Sequence, residues 1–262
     1  MNESILITSN SNQFVPDFLI VGAQKCGTTS LYNYLIQHPQ IIPALCKEIH
    51  FFDIHFEKGL HWYQSQFPAS LESKRKGITG EASPYYIFHP HVPKRIFQIM
   101  PKIKLIILLR NPVDRAYSHY HHQVKMGTEL LSFKEAIKKE ESRLKPEMMK
   151  MLNDENYHSL PYQYYSYVAR GRYVEQLKAW MNLFPMKQFL IVKSEDFYLN
   201  PEVIFHHVLD FLGLPNFKIQ QYTKNNAGDY PKLDLQLRNE LLEYFKPYNH
   251  QLYKYLGVDF NW

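Results

Sequence analysis

The sequence predicts a single α/β domain in which a central parallel sheet is flanked by helices. Three apolar runs, 18–21, 104–109 and 188–192, are typical of strands that are buried on both faces of a parallel sheet. Helical patterns follow these runs, and alternating strands and helices favour crossover connections. The 262 residues contain no long flexible linker, repeat or low-complexity segment, so we predict one domain over 17–262 after an N-terminal extension at 1–16.

The individual elements can be placed in chain order. The first strand leads into a helix predicted over 28–37, and the segment 41–52 is typical of a loop that enters a short buried element. A short strand is predicted at 77–81. Pro84 favours extended geometry at Ser83, so Glu81 is expected at a strand end or in a turn. The strand that ends at Arg110 is followed by an Asn-Pro pair, which suits a helix start. Further helices are predicted at 133–144, 174–184 and 201–212, the last closed by Gly213.

Three chemically distinctive positions follow predicted strands. They are the loop after Val21, the carboxylate of Glu81 and the guanidinium of Arg110. Ligand sites in open α/β sheets lie at the carboxyl ends of the strands. If these strands are neighbours, the three positions meet at one edge of the sheet.

Composition narrows the classes of partner. The formal charge is +5, from 30 basic and 25 acidic residues spread along the chain, which favours an anionic small ligand and does not indicate nucleic-acid binding. The N-terminus lacks a basic start, and no apolar run reaches the roughly 18 residues that span a bilayer. We therefore expect a cytoplasmic protein without a membrane span. Cys26 and Cys46 are expected to be free thiols, with Cys26 open to alkylation.

The segment after the first strand predicts a phosphate cradle. Gly22 and Gly27 permit unusual backbone conformations, and the free N–H groups at the start of the next helix attract an anion. A triphosphatase loop places lysine directly after the second glycine, whereas here Lys25 lies inside the loop and Thr28 follows that glycine. An ATP–magnesium substrate is therefore disfavoured. The candidate phosphate-binding residues are Gly22, Gln24, Lys25, Cys26, Gly27, Thr28, Thr29 and Ser30.

The end of the second long strand carries a cation where a magnesium-dependent triphosphatase would carry an aspartate. Arg110 offers a planar fork of donors to a second phosphate, and Ser118, two turns into the next helix, adds a hydroxyl on the same side. Two separate phosphate sites fit a nucleotide that is phosphorylated at two places. No metal site is predicted, because His119, His121 and His122 have no carboxylate or cysteine partner in their cluster.

Five segments of the chain resemble the sulfotransferases that use 3′-phosphoadenosine 5′-phosphosulfate (PAPS). In chain order they cover 22–30, 47–53, 109–120, 171–180 and 244–253. The first resembles the family's 5′-phosphosulfate loop, and the third resembles its 3′-phosphate segment. The order and separation of the five are most similar to the heparan-sulfate type of carbohydrate sulfotransferase and its bacterial relatives, and they extend over nearly the whole chain.

The resemblance implies in-line transfer of a sulfuryl group from PAPS, used as co-substrate without a metal, to an acceptor hydroxyl or amine. It implies that Lys25 stabilises charge on the leaving phosphate, while Arg110 and Ser118 bind the 3′-phosphate. The family's late loop carries a basic pair that is missing here. The nucleotide site is expected to be completed by Tyr173, by Lys224 as a substitute for that pair, and by Tyr230.

The general base is left between two residues. The resemblance implies Glu81, provided that desolvation raises its pKa, although the family's lysine after this glutamate is Ala82 here. His50 is the rival, because a histidine titrates near neutral pH. A carbohydrate acceptor is favoured over a lipid or a small metabolite. A nucleotide-dependent kinase and a non-catalytic nucleotide-binding module remain the alternatives from other classes.

Overall fold

Five parallel strands form the centre of the computed structural model, which describes residues 15–68, 77–223 and 228–262. The strand order is β2-β3-β1-β4-β5, and every neighbouring pair is parallel. This arrangement confirms the predicted fold class. The strands are β1 Phe18–Gly22, β2 Ile41–Pro43, β3 Ile78–Ala82, β4 Lys104–Leu109 and β5 Phe189–Lys193.

Helices connect these strands and flank the sheet. Short 3₁₀ turns occur at Phe56–Lys58, Ala169–Gly171 and Met186–Gln188. No helix in the described part of the chain is both long enough and apolar enough to cross a membrane. The α-helices are α1 Thr28–Leu35, α2 Gly59–Gln64, α3 Val92–Ile99, α4 Pro112–Lys125, α5 Phe133–Asn153, α6 Leu160–Tyr164, α7 Tyr173–Met181, α8 Ser194–Leu199, α9 Pro201–Leu212 and α10 Leu235–Leu256.

The core lies along β1 and β4. Every side chain from Phe18 to Val21 and from Leu105 to Leu109 is fully buried, as expected for strands covered on both faces. Leu31 and Leu35 of α1 and Trp180 of α7 belong to the same apolar cluster. Each such side chain contributes about 1.5–3 kcal/mol when it leaves water, so the central strands form a rigid base for the loops at their ends.

The register of β1 brings three distant segments to one edge. Leu19 of β1 lies opposite Glu81 of β3 on one side and opposite Leu105 of β4 on the other. The loop after β1 therefore lies between the end of β3 and the end of β4, where Arg110 follows. The predicted adjacency of the loop, Glu81 and Arg110 is confirmed at the level of the backbone.

Some elements differ from the predicted ones for tertiary reasons. The helix predicted to end at residue 144 continues through Pro146 to Asn153. Glu147 in this extension accepts hydrogen bonds from Ser159 and Tyr157, which hold the added turns against the next segment. The three-residue strand β2 was not predicted, because only its pairing with β3 distinguishes it from a loop.

Candidate active site

The loop between β1 and α1 has a backbone that demands its two glycines. Gly27, at φ 98°, occupies the left-handed region immediately before α1. A Cβ atom on Gly27 would lie 2.8 Å from the hydroxyl oxygen of Tyr198, and one on Gly22 would lie 2.4 Å from Ile87. Gly27 has no side chain to cap α1, so the start of the helix is available to an anion.

A cleft of about 600 Å³ opens beside this loop at the carboxyl edge of the sheet. Eight of the sequence-predicted site residues line it, so the structure brings the two predicted phosphate sites into one space. They are Gln24, Lys25, Gly27, Thr28, Thr29, Arg110, Ser118 and Tyr230. Lys224 lies outside the described residues, so its expected role stays a prediction.

Lys25 lies where positive charge is concentrated. Its backbone is left-handed, at φ 71°, and its carbonyl accepts a hydrogen bond of 3.3 Å from Arg110 Nη1. Burial lowers the pKa of the Lys25 ammonium, and the charges of Arg110 and Arg115 lower it further. A bound anion would offset this mutual repulsion, so the cluster of cations is suited to a phosphate or phosphosulfate group.

Three of the predicted site residues are buried behind the cleft and do not line it. Cys26 and Ser30 are fully buried and do not line the cleft, although the carbonyl of Cys26 accepts a hydrogen bond of 2.8 Å from Ser194. Tyr173, also buried, donates to the carbonyl of Arg110 at 2.9 Å and so holds the end of β4. The expectation that Cys26 is open to alkylation is wrong, because burial raises the pKa of its thiol to about 11.

Tyr230 closes one side of the cleft. Its ring stacks on His121 with centroids 4.4 Å apart and meets Tyr117 edge-on at 5.5 Å. Both partners belong to α4, the helix that also carries Ser118. Tyr230 is thereby held beside the position predicted for the second phosphate.

Glu81 does not line the cleft. Its side chain is 1% exposed and accepts three hydrogen bonds, from Ser83 at 2.7 Å, Tyr86 at 2.8 Å and Tyr63 at 3.1 Å. Burial raises the pKa of Glu81 to about 7, despite these three donors. The pKa is suited to a general base, but the enclosed position does not favour direct contact with an acceptor.

Glu48 is the carboxylate that lines the cleft, and the sequence prediction missed it. It belongs to the 47–53 segment, which was interpreted from the sequence as part of a loop entering a buried element and as one of five segments that resemble the family, without a role for Glu48. The Glu48 carboxylate contacts Lys47 Nζ at 2.7 Å and His50 Nε2 at 3.2 Å. Its negative charge partly offsets the lowering of the pKa of Lys25, which lines the same cleft. The signal that could have identified it was a glutamate two residues from the rival base, His50.

His50 connects Glu48 to a buried aspartate. Its Nδ1 lies 2.8 Å from Asp53 Oδ2, and its Nε2 faces Glu48. Burial opposes protonation of His50, but hydrogen bonds to Asp53 and Glu48 outweigh it and raise the pKa to about 10. Partial burial likewise opposes the charge on Glu48, yet His50 and Lys47 lower its pKa to about 2. His50 therefore keeps its proton at neutral pH, which does not favour its predicted role as the base.

Two contacts in and behind the wall of the cleft involve residues, Glu195 and Arg170, that were not predicted from the sequence. Glu195 accepts a hydrogen bond of 2.8 Å from the amide of Asn111, and its second oxygen is buried without a partner among the described residues. The side-chain amide oxygen Oε1 of Gln24 accepts a hydrogen bond of 2.7 Å from Arg170, a buried arginine behind the cleft. Both contacts join segments more than 80 positions apart, so no local pattern could have indicated them.

Comparisons with known proteins identify relatives over most of the chain. Human heparan sulfate glucosamine 3-O-sulfotransferase 6 is 31% identical over 273 residues, which cover 94% of this chain and 73% of that protein. Membrane-associated sulfotransferase kil1 of Dictyostelium discoideum is 26% identical over 313 residues, covering 95% of this chain and 66% of its own length. The chain thus spans about two thirds to three quarters of these two relatives.

A solved structure and a family profile lead to the same assignment. The crystal structure of a sulfotransferase from Alicyclobacillus acidocaldarius superposes with a TM-score of 0.75 at 32% identity, covering 94% of this chain and 98% of that one. Residues 15–243 match the profile of the sulfotransferase domain. The chain therefore belongs to the sulfotransferase family of enzymes.

Proposed function

We propose that this enzyme transfers a sulfuryl group from PAPS to a hydroxyl or amine of a carbohydrate. The observation that carries the proposal is that Lys25 and Glu48 line one cleft beside the start of α1. A cation for the leaving phosphate and a carboxylate for the acceptor are the two groups that in-line transfer requires.

The donor side fits a nucleotide with two phosphate groups. Lys25, the loop and the free start of α1 suit the 5′-phosphosulfate, while Arg110 and Ser118 suit the 3′-phosphate. Gly27 and Tyr198 both line the cleft, and a Cβ on Gly27 would clash with Tyr198, so at Gly27 the loop presents its backbone to the cleft without a side chain. The unpartnered oxygen of Glu195 offers an acceptor for a hydroxyl or amino group of the nucleoside.

On the acceptor side of the cleft, we propose Glu48 as the general base. A carboxylate with a low pKa is a weak base toward a free hydroxyl. Sulfuryl transfer, like phosphoryl transfer, is expected to have a loose transition state with little bonding to the acceptor. As the bond between sulfur and the acceptor oxygen forms and the bond to the leaving phosphate breaks, the acceptor oxygen gains positive character and its proton becomes acidic. Glu48 can take up that proton at this late stage, and protonated His50 keeps the carboxylate oriented.

The carbohydrate class is supported by the relatives. One is named as a 3-O-sulfotransferase of heparan sulfate glucosamine, and another, from Caenorhabditis elegans, as a heparan sulfate N-deacetylase/N-sulfotransferase at 28% identity. We therefore propose an amino sugar as acceptor, with both its hydroxyls and its amine as candidate positions.

Radiolabelled PAPS tests the proposal with desulfated heparan oligosaccharides, a phenol and a lipid alcohol as acceptors. We expect label on the oligosaccharide, and a roughly 100-fold or larger loss of turnover in Glu48→Gln, since general-base catalysis contributes about that much. Affinity for adenosine 3′,5′-bisphosphate should be unchanged in this variant. The exposed Glu57, which lies in the same region of the chain, provides the control Glu57→Gln. Transfer to the phenol or lipid alone would contradict the acceptor class, and normal turnover of Glu48→Gln would contradict the base.

A further inference from the structure

The segment that carries Glu48 and His50 has an unusual backbone. Glu48 has φ 60° and His50 has φ 54°, both in the left-handed region that residues with a side chain rarely adopt. Such conformations persist when the surrounding structure imposes them. The orientation of the proposed base therefore depends on whatever holds this segment, called here the base loop and comprising residues 48–53.

Two buried hydroxyls hold the base loop through its backbone. The amide of His50 donates to Ser83 Oγ at 3.1 Å, and the amide of Phe51 donates to Tyr86 Oη at 2.9 Å. The amide of Phe52 also points to Tyr86, at 3.4 Å. Ser83 and Tyr86 are both fully buried, so water does not replace these contacts.

Both hydroxyls are in turn oriented by Glu81. Ser83 donates to Glu81 Oε2 at 2.7 Å, and Tyr86 donates to Glu81 Oε1 at 2.8 Å. Each hydroxyl has a single proton, and Glu81 in its ionised form, which prevails above its pKa of about 7, accepts hydrogen bonds without donating any. The carboxylate therefore fixes the direction of both protons and leaves the lone pairs of the hydroxyls facing the amides of the base loop.

We propose that Glu81 is a positioning residue that sets the backbone of the base loop through Ser83 and Tyr86. The inference rests on the proposed role of Glu48 as the base. It explains a carboxylate that is fully enclosed beside the cleft, does not line it, and yet is connected through two hydroxyls to the loop that does. Glu81 acts on the reaction only through the geometry of Glu48 and His50.

The test compares Glu81→Gln with the double variant Ser83→Ala/Tyr86→Phe. Glutamine keeps the shape of Glu81 but places an NH₂ donor where one acceptor oxygen was, so it competes with a hydroxyl proton. The matched control is Tyr32→Phe. Tyr32 is a buried tyrosine whose hydroxyl accepts the amide of Ala44 at 3.1 Å, outside the base loop.

Three quantities are measured in each variant: turnover with PAPS and the oligosaccharide, affinity for adenosine 3′,5′-bisphosphate, and the pKa of His50 by NMR. We expect Glu81→Gln and the double variant to lose about tenfold or more in turnover, as a misplaced base does, with nucleotide affinity unchanged. The pKa of His50 should fall by about one unit or more, because its contacts with Asp53 and Glu48 lengthen. Combining Glu81→Gln with the double variant should add little further loss.

The His50 pKa separates the two proposals. An unchanged pKa in both Glu81→Gln and the double variant would overturn the positioning role, and so would losses no larger than those of Tyr32→Phe. Suppose instead that Glu48→Gln has normal turnover, while the pKa of His50 is shifted in Glu81→Gln and in the double variant. Glu48 would then not be the base, but the role of Glu81 in positioning the loop would stand. The single variants Ser83→Ala and Tyr86→Phe are also measured. Each removes only one contact, so each provides the same three quantities if the double variant does not fold.

Discussion

The two sides of the cleft, which we propose to bind the donor and the acceptor, are built in different ways. On the donor side, the loop after β1 and Arg110 after β4 follow directly from two buried strands that are neighbours in the sheet. On the acceptor side, the base loop is held by residues that lie more than 30 positions away, with Glu81 behind them. A local motif therefore predicts the first side, whereas the second requires contacts across the fold.

The largest expected effect falls on the donor side, at Lys25. Lys25→Ala should reduce turnover roughly 100- to 1000-fold, because a preorganised charge facing the leaving group is lost. The measurement is turnover with radiolabelled PAPS. The control is Lys104→Ala, whose lysine lies at the start of β4, the opposite end of the strand from Arg110. Equal turnover of the Lys25 and Lys104 variants would break the proposed division between the two sides.

A smaller effect is expected at the second phosphate site. Arg110→Ala should weaken binding of adenosine 3′,5′-bisphosphate roughly tenfold or more, because a charge-assisted hydrogen bond contributes about 1.5–3 kcal/mol. Binding of adenosine 5′-phosphate, which lacks the 3′-phosphate, should change much less. Calorimetry with both nucleotides provides the comparison. If Arg110→Ala weakens both nucleotides equally, the arginine does not read the 3′-phosphate.

The smallest effect concerns the pH dependence of stability on the acceptor side. The pKa of His50 is raised to about 10, so its contribution is fully present below its unfolded pKa and is lost as the pH rises through about 10. The pKa of Glu48 is lowered to about 2, so its contribution is present above its unfolded pKa and is lost as the pH falls through about 2. Both contributions are complete between about pH 4.5 and 6.5.

Denaturant unfolding of His50→Gln and of the parent protein checks this window. The difference in free energy of unfolding should be largest near pH 5.5 and should shrink toward about pH 3 and about pH 10. Because Glu48 is 38% exposed, solvent screening keeps the part of this difference that comes from the His50–Glu48 pair at about 1 kcal/mol or below. A difference that is constant with pH would mean that His50 stabilises the loop through its shape alone.

Particular elements show how much of the molecule could be predicted. Helix α9, Pro201–Leu212, was predicted with both its ends, because proline starts it and Gly213, at φ 79°, closes it in the left-handed conformation. Helix α10, Leu235–Leu256, was missed, although its C-terminal half lies within a segment that resembles the family. Glu81 was predicted as one of two candidates for the base, because the resemblance to the family favoured it, and its burial could not be read from the sequence.

The sequence by itself determined the parallel sheet, the glycine-containing loop before α1 and the cation at the end of β4. Continuous apolar runs, paired glycines and a displaced lysine are local features, and their physical consequences do not depend on distant partners. Only the tertiary structure decided which carboxylate lines the cleft. Glu48 and Glu81 have the same side chain, but Glu48 lies at the cleft beside His50 whereas Glu81 is enclosed by three hydroxyls. Exposure and hydrogen-bond partners, which the fold imposes, distinguish the two roles.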